Sequence, residues 1–150
     1  MRYKVPDPDF ENRVRGSFAR QKLMRTIGAE LTKLLPGEVE ISLPYWHNLT
    51  QQHGFIHAGI IATIADTACG YAAFSLMPVD AAVLTVEYKI NLMSPAVGEN
   101  FLARGRVIRP GKTLSVCMAE VVAHQKGKAK TVATMLATMM VLPNQEGLTG

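Results

Sequence analysis

The chain has 150 residues, 48% of them hydrophobic and 19% charged, and a formal net charge of +4. That length suits one domain, 1–150, with a substantial core, and the composition is that of an ordinary soluble protein. The charge is too weak to argue for nucleic acid, although it suits a ligand that carries phosphate. Cys69 and Cys117 have neither CxxC nor Cys/His metal spacing and read as small buried residues. No metal or cofactor is expected. The start, MRYKVPDPDF, lacks the apolar region of a signal peptide, so a cytoplasmic protein is expected.

Residues 1–26 read as a helical segment. Asp7-Pro8 suggests an N-cap followed by proline at the first helical position. Phe10, Val14, Ser17 or Phe18, Gln21 and Met24 then form an apolar-leaning stripe. Arg13, Arg15, Arg20, Lys22 and Arg25 make the other face basic, which is either a solvated surface or a rim attracting an anion. Two strands are expected at 27–35 and 38–43, joined by a Pro36-Gly37 turn. Pro44 ends the second, and a loop over 45–56 follows.

The stretch 57–77 holds no proline and a single formal charge, Asp66. Its residue types favour a helix about 31 Å long, apolar on every side and therefore buried. A central Asp and weak hydrophobicity argue against a membrane span. The positions sharing the Asp66 face, Gly59, Ala62, Thr63, Cys69, Gly70 and Ala73, are small, leaving a lane toward the carboxylate. Two readings of Asp66 stand at this point. It is a buried structural acid with a partner, or a reactive group that a ligand approaches along the lane.

Beyond the helix the period changes to two. Leu84, Val86, Tyr88, Ile90 and Leu92 alternate with Thr85, Glu87, Lys89 and Asn91. Further strands are expected at 99–109, 112–125 and 128–142, turning at Pro110-Gly111 and Gly127. One face of the last two is nearly all small, from Ser115 and Cys117 through Ala119 to Ala133, and can accept a helix at close range. The tail, 144–150, has too little apolar content to dock and is expected to be flexible. The order predicts an α+β fold, an antiparallel sheet wrapped around a long central helix.

Gln51, Gly54, His57, Ala58, Gly59 and Asp66 carry the chemistry. A helix start offers unpaired N–H groups and partial positive charge, so it can hold an oxyanion. Asp66 lies about 12 Å farther along the axis from Ala58. If two subunits pack their helices antiparallel, each Asp66 faces the other's helix start, and two composite sites form.

This pattern resembles the hotdog-fold acyl-CoA thioesterases of the PaaI-type branch. Their motif, Asn/Gln-x-x-Gly-x-x-His-Gly-Gly followed by a helical acid, reads here as Gln51, Gly54, His57-Ala58-Gly59 and Asp66. TVEYKINLMSPAVGE, residues 85–99, and the following GRVIRPGKTLSV extend the likeness. The resemblance implies an acyl-CoA thioesterase without cofactor, a homo-oligomer with its site at a subunit interface, either a dimer or a dimer of dimers. No nucleic acid or membrane partner is implied. It gives Asp66 the role of nucleophile or water-activating base, the Ala58 N–H that of polarising the carbonyl, and Gln51 that of orienting carbonyl or water. Thr85 matches a position where some members place a hydroxyl near the attacking water; His57 braces the loop, and His57 and Gly59 count among the substrate-binding residues. Ala58 replaces the first motif glycine, which a helical residue tolerates because no positive φ is needed. Arg104, Arg106, Arg109 and Lys112, around the Pro110-Gly111 turn, and Lys126, Lys128 and Lys130, around Gly127, are either candidates for the CoA phosphates or a solvated basic edge. A non-catalytic acyl-CoA sensor and a hotdog dehydratase or hydratase are the alternatives.

Overall fold

In the computed structural model, which describes residues 3–144, 146–148 and 150, alternating sequence becomes one antiparallel sheet and the apolar stretch becomes the helix that the sheet wraps. Short helices α1 (Phe10–Arg20) and α2 (Lys22–Ile27) precede β1 (Glu30–Leu35) and β2 (Glu38–Pro44). The long helix α3 (Ala58–Phe74) follows, then β3 (Ala82–Leu92), β4 (Asn100–Arg109), β5 (Leu114–Gln125) and β6 (Lys128–Leu142). The sheet order is β1-β2-β4-β5-β6-β3, which leaves β1 and β3 at the edges. Met1 and Arg2 of the expected segment 1–26, and Gln145 and Thr149 of the expected tail 144–150, lie outside the described residues.

Helix α3 meets the sheet through small residues. A Cβ on Gly105 of β4 would lie 2.4 Å from the Ala68 carbonyl carbon and oxygen, so only glycine permits this approach. Ala119 and Cys117 on β5, and Ala133 and Ala137 on β6, are fully buried on the same side. At the far end of α3, the buried Ser75 hydroxyl accepts from the Gly37 N–H at 2.8 Å and donates to the Ala72 carbonyl. That bond fastens the end of the helix to the β1–β2 turn.

Several expectations are corrected. The small-residue lane on α3 is half as wide as the sequence suggested, because Ala62, Cys69 and Ala73 are buried. What remains open is Gly59, Thr63, Asp66 and Gly70. The N-terminal helix breaks at Gln21, whose ψ of 100° is extended, and Ile27 belongs to α2 rather than to a strand. Gly28, with φ 76°, ends α2, so β1 begins at Glu30. Asp7 does not cap the helix directly. Helix α1 starts at Phe10, and an Asp7 carboxylate oxygen accepts from the Asp9 N–H at 2.9 Å.

Arg13 is not part of a solvated face. It pairs with Asp7 at 2.7 Å and donates to the Phe74 and Met77 carbonyls at 3.3 and 2.9 Å. Its guanidinium carbon also lies 4.2 Å from the centre of the Phe74 ring. One cation thus binds α1 to the carbonyl-rich end of α3, where positive charge is favoured. Its hydrogen bond, first of all, holds the Asp7 carboxyl below its usual range.

The β3 strand departs most from its alternation. Up to Thr85 each residue pairs with β6 in one register, Thr85 opposite Met139, and from Glu87 onward the register is shifted by one. Val86 is the extra residue of a β-bulge, and it resets the facing of everything before it. Tyr88, Ile90 and Leu92 face the helix side, opposite Ala137, Met135 and Ala133, while Leu84 sits opposite Met140 on the outer side. Thr85 consequently faces inward.

Candidate active site

The site begins with the turn before α3. The Gln51 carbonyl accepts from the Gly54 N–H at 3.0 Å, and Gly54 needs its φ of 83° to close that turn. A Gln51 side-chain oxygen accepts from the His53 N–H. The Gln51 side-chain amide N–H groups are what it could still offer a substrate. His57 caps the helix: its ring nitrogen Nδ1 accepts from the Gly59 N–H at 2.8 Å. A Cβ on Gly59 would stand 3.0 Å from that nitrogen, so glycine keeps the cap unstrained. The Ala58 N–H makes no hydrogen bond to another described residue. Ala58 is not among the positive-φ residues, so its side chain costs the helix start nothing. The motif thus spends one donor on the cap and leaves the preceding one open.

Asp66, two turns on, is partly exposed in the open lane. The Thr85 hydroxyl donates to its Oδ1 at 2.7 Å. Burial, the larger effect, pushes the Asp66 carboxyl above its ordinary range, and the Thr85 bond opposes it. The β3 bulge is what makes this bond possible, since an unbulged strand with Tyr88 and Ile90 inward would turn Thr85 away.

These two halves do not share a cavity. Gln51 and Ala58 line a cleft of about 430 Å³, walled by Phe55, Leu92 and Pro95. Asp66 and Thr85 line another, of about 260 Å³, bounded by Ser17, Gln21 and Tyr71. The last residues border this second cleft too: Leu148 and Gly150 line it, and Arg20 donates to the Gly150 carbonyl. The expectation of an undocked tail did not foresee that contact. Met77 lines the groove that also holds Lys112, whereas Phe74 is fully buried core.

The two basic clusters lie in different places. Lys112 lines the groove beside Ala73, Leu76 and Met77, at the C-terminal end of α3 and far from Ala58. Arg109 is exposed at the end of β4 on the sheet's outer face, in register with Val116. Lys128 and Lys130 line a cavity of about 570 Å³ that shares Phe55 and Pro95 with the Gln51–Ala58 cleft. Lys126-Gly127 makes the tight turn there, both with positive φ, 49° and 74°. Among the described residues, no three His, Cys, Asp or Glu side chains gather as a metal site, and no helix is long and apolar enough to cross a membrane.

The thioesterase superfamily model matches residues 53–130, which include the cap, Asp66, Thr85 and the β4–β5 pair. This chain belongs to the thioesterase superfamily. Thioester hydrolysis is its reaction class, and the sheet-wrapped helix is the hotdog fold of that family. A thioesterase family protein from Silicibacter pomeroyi is 54% identical, with a TM-score of 0.89 over 90% of this chain and 99% of that one. The PaaI protein of Escherichia coli, from the phenylacetic acid degradation operon, shares the fold at 20% identity, with a TM-score of 0.81 over 91% and 95% of the two chains. A protein of Halobacterium salinarum, named as a candidate esterase, is 34% identical over 105 residues, 67% of this chain and 69% of its own.

The Thr85 bond gives a pH test. Replacing Thr85 with Val removes the one contact that lowers the Asp66 pKa and leaves burial unopposed. The acid limb of the kcat/KM profile should then move to higher pH. An acid limb that stays in place in Thr85→Val would show that Asp66 ionisation does not control the rate.

Proposed function

We propose that the protein is an acyl-CoA thioesterase whose working site is completed between two subunits. The observation that supports this most is the division of the motif between two clefts: an open backbone donor at Ala58 in one, an oriented carboxylate at Asp66 in the other. Two antiparallel copies of α3 would bring the Ala58 N–H of one subunit to the Asp66 of the next. Strand β3 supports such pairing. It is an edge strand, and on its helix side Tyr88 and Leu92 are 45% and 53% exposed, with the bulge residue Val86 at 53%.

The reaction follows from the parts. The Ala58 N–H and the positive end of α3 stabilise the oxyanion as the thioester carbonyl is attacked. Thr85 fixes Oδ1 of Asp66, leaving Oδ2 to take a proton from water as the water oxygen bonds to the carbonyl carbon. The C–S bond then breaks, and the proton passes to the departing thiolate. Gln51, through its amide N–H, orients the carbonyl. Lys128 and Lys130, beside the Ala58 cleft, hold the CoA phosphates. Arg109 and Lys112 are less suited, because within one subunit they lie away from that cleft.

Asp66→Asn tests the assignment. Loss of a positioned base should lower kcat by about 10²–10⁴-fold. Stability should move the other way. A carboxyl whose folded pKa is raised stabilises the fold below its unfolded pKa, and that contribution is lost as pH rises through the folded pKa. Above the folded pKa the ionised Asp66 is therefore a net cost, and in that range the variant should melt at the same temperature or higher. A well-folded Asp66→Asn that keeps most of its kcat would remove Asp66 from the chemistry.

The phosphate assignment predicts a different signature. Lys128→Glu with Lys130→Glu should raise KM for acyl-CoA with little change in kcat, because remote contacts hold ground and transition states alike. The effect should shrink as salt is added. An unchanged KM in that double variant would refute the pair's role.

A further inference from the structure

The open lane on α3 does not stop at Asp66. It continues over Gly70, where a Cβ would meet nothing within 4 Å, in a trough between α3 and the start of β3. Asp66 and Thr85 stand together at one end of that trough. The other end is closed by residues that follow β6. That strand finishes beside the start of β3, with Leu142 opposite Ala82. A turn at Glu146-Gly147 follows, where Gly147 has φ 84°. Leu148 and Gly150 then line the trough.

Gly150 is wedged in place. A Cβ on it would lie 2.2 Å from the Phe74 ring and 3.0 Å from the Ala81 carbonyl oxygen, so only glycine fits. Arg20, at the end of α1, holds it there by donating to its carbonyl. These contacts fix where the trough ends. Phe74 lies about 12 Å beyond Asp66 along the helix axis. On the opposite wall Ala81 precedes Thr85 by about 13 Å of extended chain, so the two measures agree.

In the two-subunit site proposed above, CoA lies on the side of Lys128 and Lys130, beside the Ala58 cleft. The acyl group leaves the carbonyl on the opposite side and so runs past Asp66 into this trough. Van der Waals contact at the closed end takes about 3.5–4 Å of the roughly 12 Å. The roughly 8 Å that remain hold about six extended C–C bonds, at about 1.3 Å of advance each. Hexanoyl fits that length and dodecanoyl does not.

We propose that Leu148 and Gly150, pinned by Arg20, are the stop that limits acyl length, and that the substrates are short acyl-CoA thioesters, hexanoyl and below. The proposal rests on Asp66 being the base of the site.

kcat/KM of the full chain for acetyl-, hexanoyl- and dodecanoyl-CoA tests it. The wild type should favour hexanoyl over dodecanoyl by at least about tenfold, the scale on which a closed apolar pocket rejects excess methylenes. Arg20→Ala frees the stop, and Gly150→Val, for which there is no room at Phe74, displaces it. Each should raise the dodecanoyl-to-hexanoyl ratio by about fivefold or more. Gly70→Leu fills the trough and should lower the hexanoyl-to-acetyl ratio by at least about tenfold. Ratios taken within one variant cancel any general loss of active protein. A wild type that takes dodecanoyl-CoA as readily as hexanoyl-CoA, or a ratio unmoved in both Arg20→Ala and Gly150→Val, would overturn the proposal and leave the Asp66 site intact. An Asp66→Asn protein that keeps its kcat would instead remove the site itself, and the proposal with it.

Discussion

The backbones of α3 and β4 come so close at Ala68 and Gly105 that no side chain fits between them. That contact sets the depth of the helix in the sheet, and much else follows from the depth. With α3 sunk among Cys117, Ala119, Ala133 and Ala137, only one strip of it reaches the surface. The strip carries Gly59, Thr63, Asp66 and Gly70, so the single charge of the helix lies where it is partly desolvated yet reachable. Burial enough to raise its pKa, and exposure enough to meet a substrate, are two consequences of one packing distance.

Two local devices set the hydrogen bonding along that strip. At the helix start the His57 ring takes the Gly59 N–H, which leaves the Ala58 N–H as the open donor. Farther along, the extra residue Val86 turns Thr85 toward Asp66. Each device aims a hydrogen-bonding group, and each depends on backbone geometry more than on the reactive side chain itself. The two groups nevertheless open into different clefts of one subunit. Their separation along α3, about 12 Å at the helical rise, exceeds what one thioester carbonyl can bridge. In the proposed site a second subunit would supply the missing half, pairing at the exposed β3 edge.

The sequence made the main elements legible because their patterns are long. The apolar stretch without proline became α3, and the alternation after it became strands whose ends shifted by only a few residues. Gln51, Gly54, His57, Ala58 and Gly59 are close in the chain, so their spacing could be read directly, whereas the capping of the helix by His57 was not foreseen. The other failures were non-local. Nothing in the N-terminal pattern says that Arg13 reaches the carbonyls of Phe74 and Met77, since its destination depends on where α1 docks. The break at Gln21 falls within a continuous helical stripe. The bulge at Val86 leaves the even-odd pattern of β3 intact in sequence, because Leu84 and Tyr88 are apolar on whichever face they stand. The lane on α3 looked wider than it is for the same reason: small residues are equally suited to a close-packed sheet and to an open approach, and only burial separates Ala62 and Cys69 from Thr63 and Gly70.

The proposed site draws its base and its oxyanion donor from different subunits. Proline at position 58 offers a clean way to remove the donor. It is favoured at the first helical position and lacks only the N–H, and His57, with φ −58° and ψ 138°, already has the backbone that must precede proline. Ala58→Pro and Asp66→Asn subunits should each be nearly inactive. Unfolded together in equal amounts and refolded, they should regain about a quarter of wild-type activity, because half the pairs are mixed and each mixed pair carries one intact site. Activity no higher than that of the separate variants, with mixed pairs demonstrated by mass, would place both groups in one subunit and contradict the account.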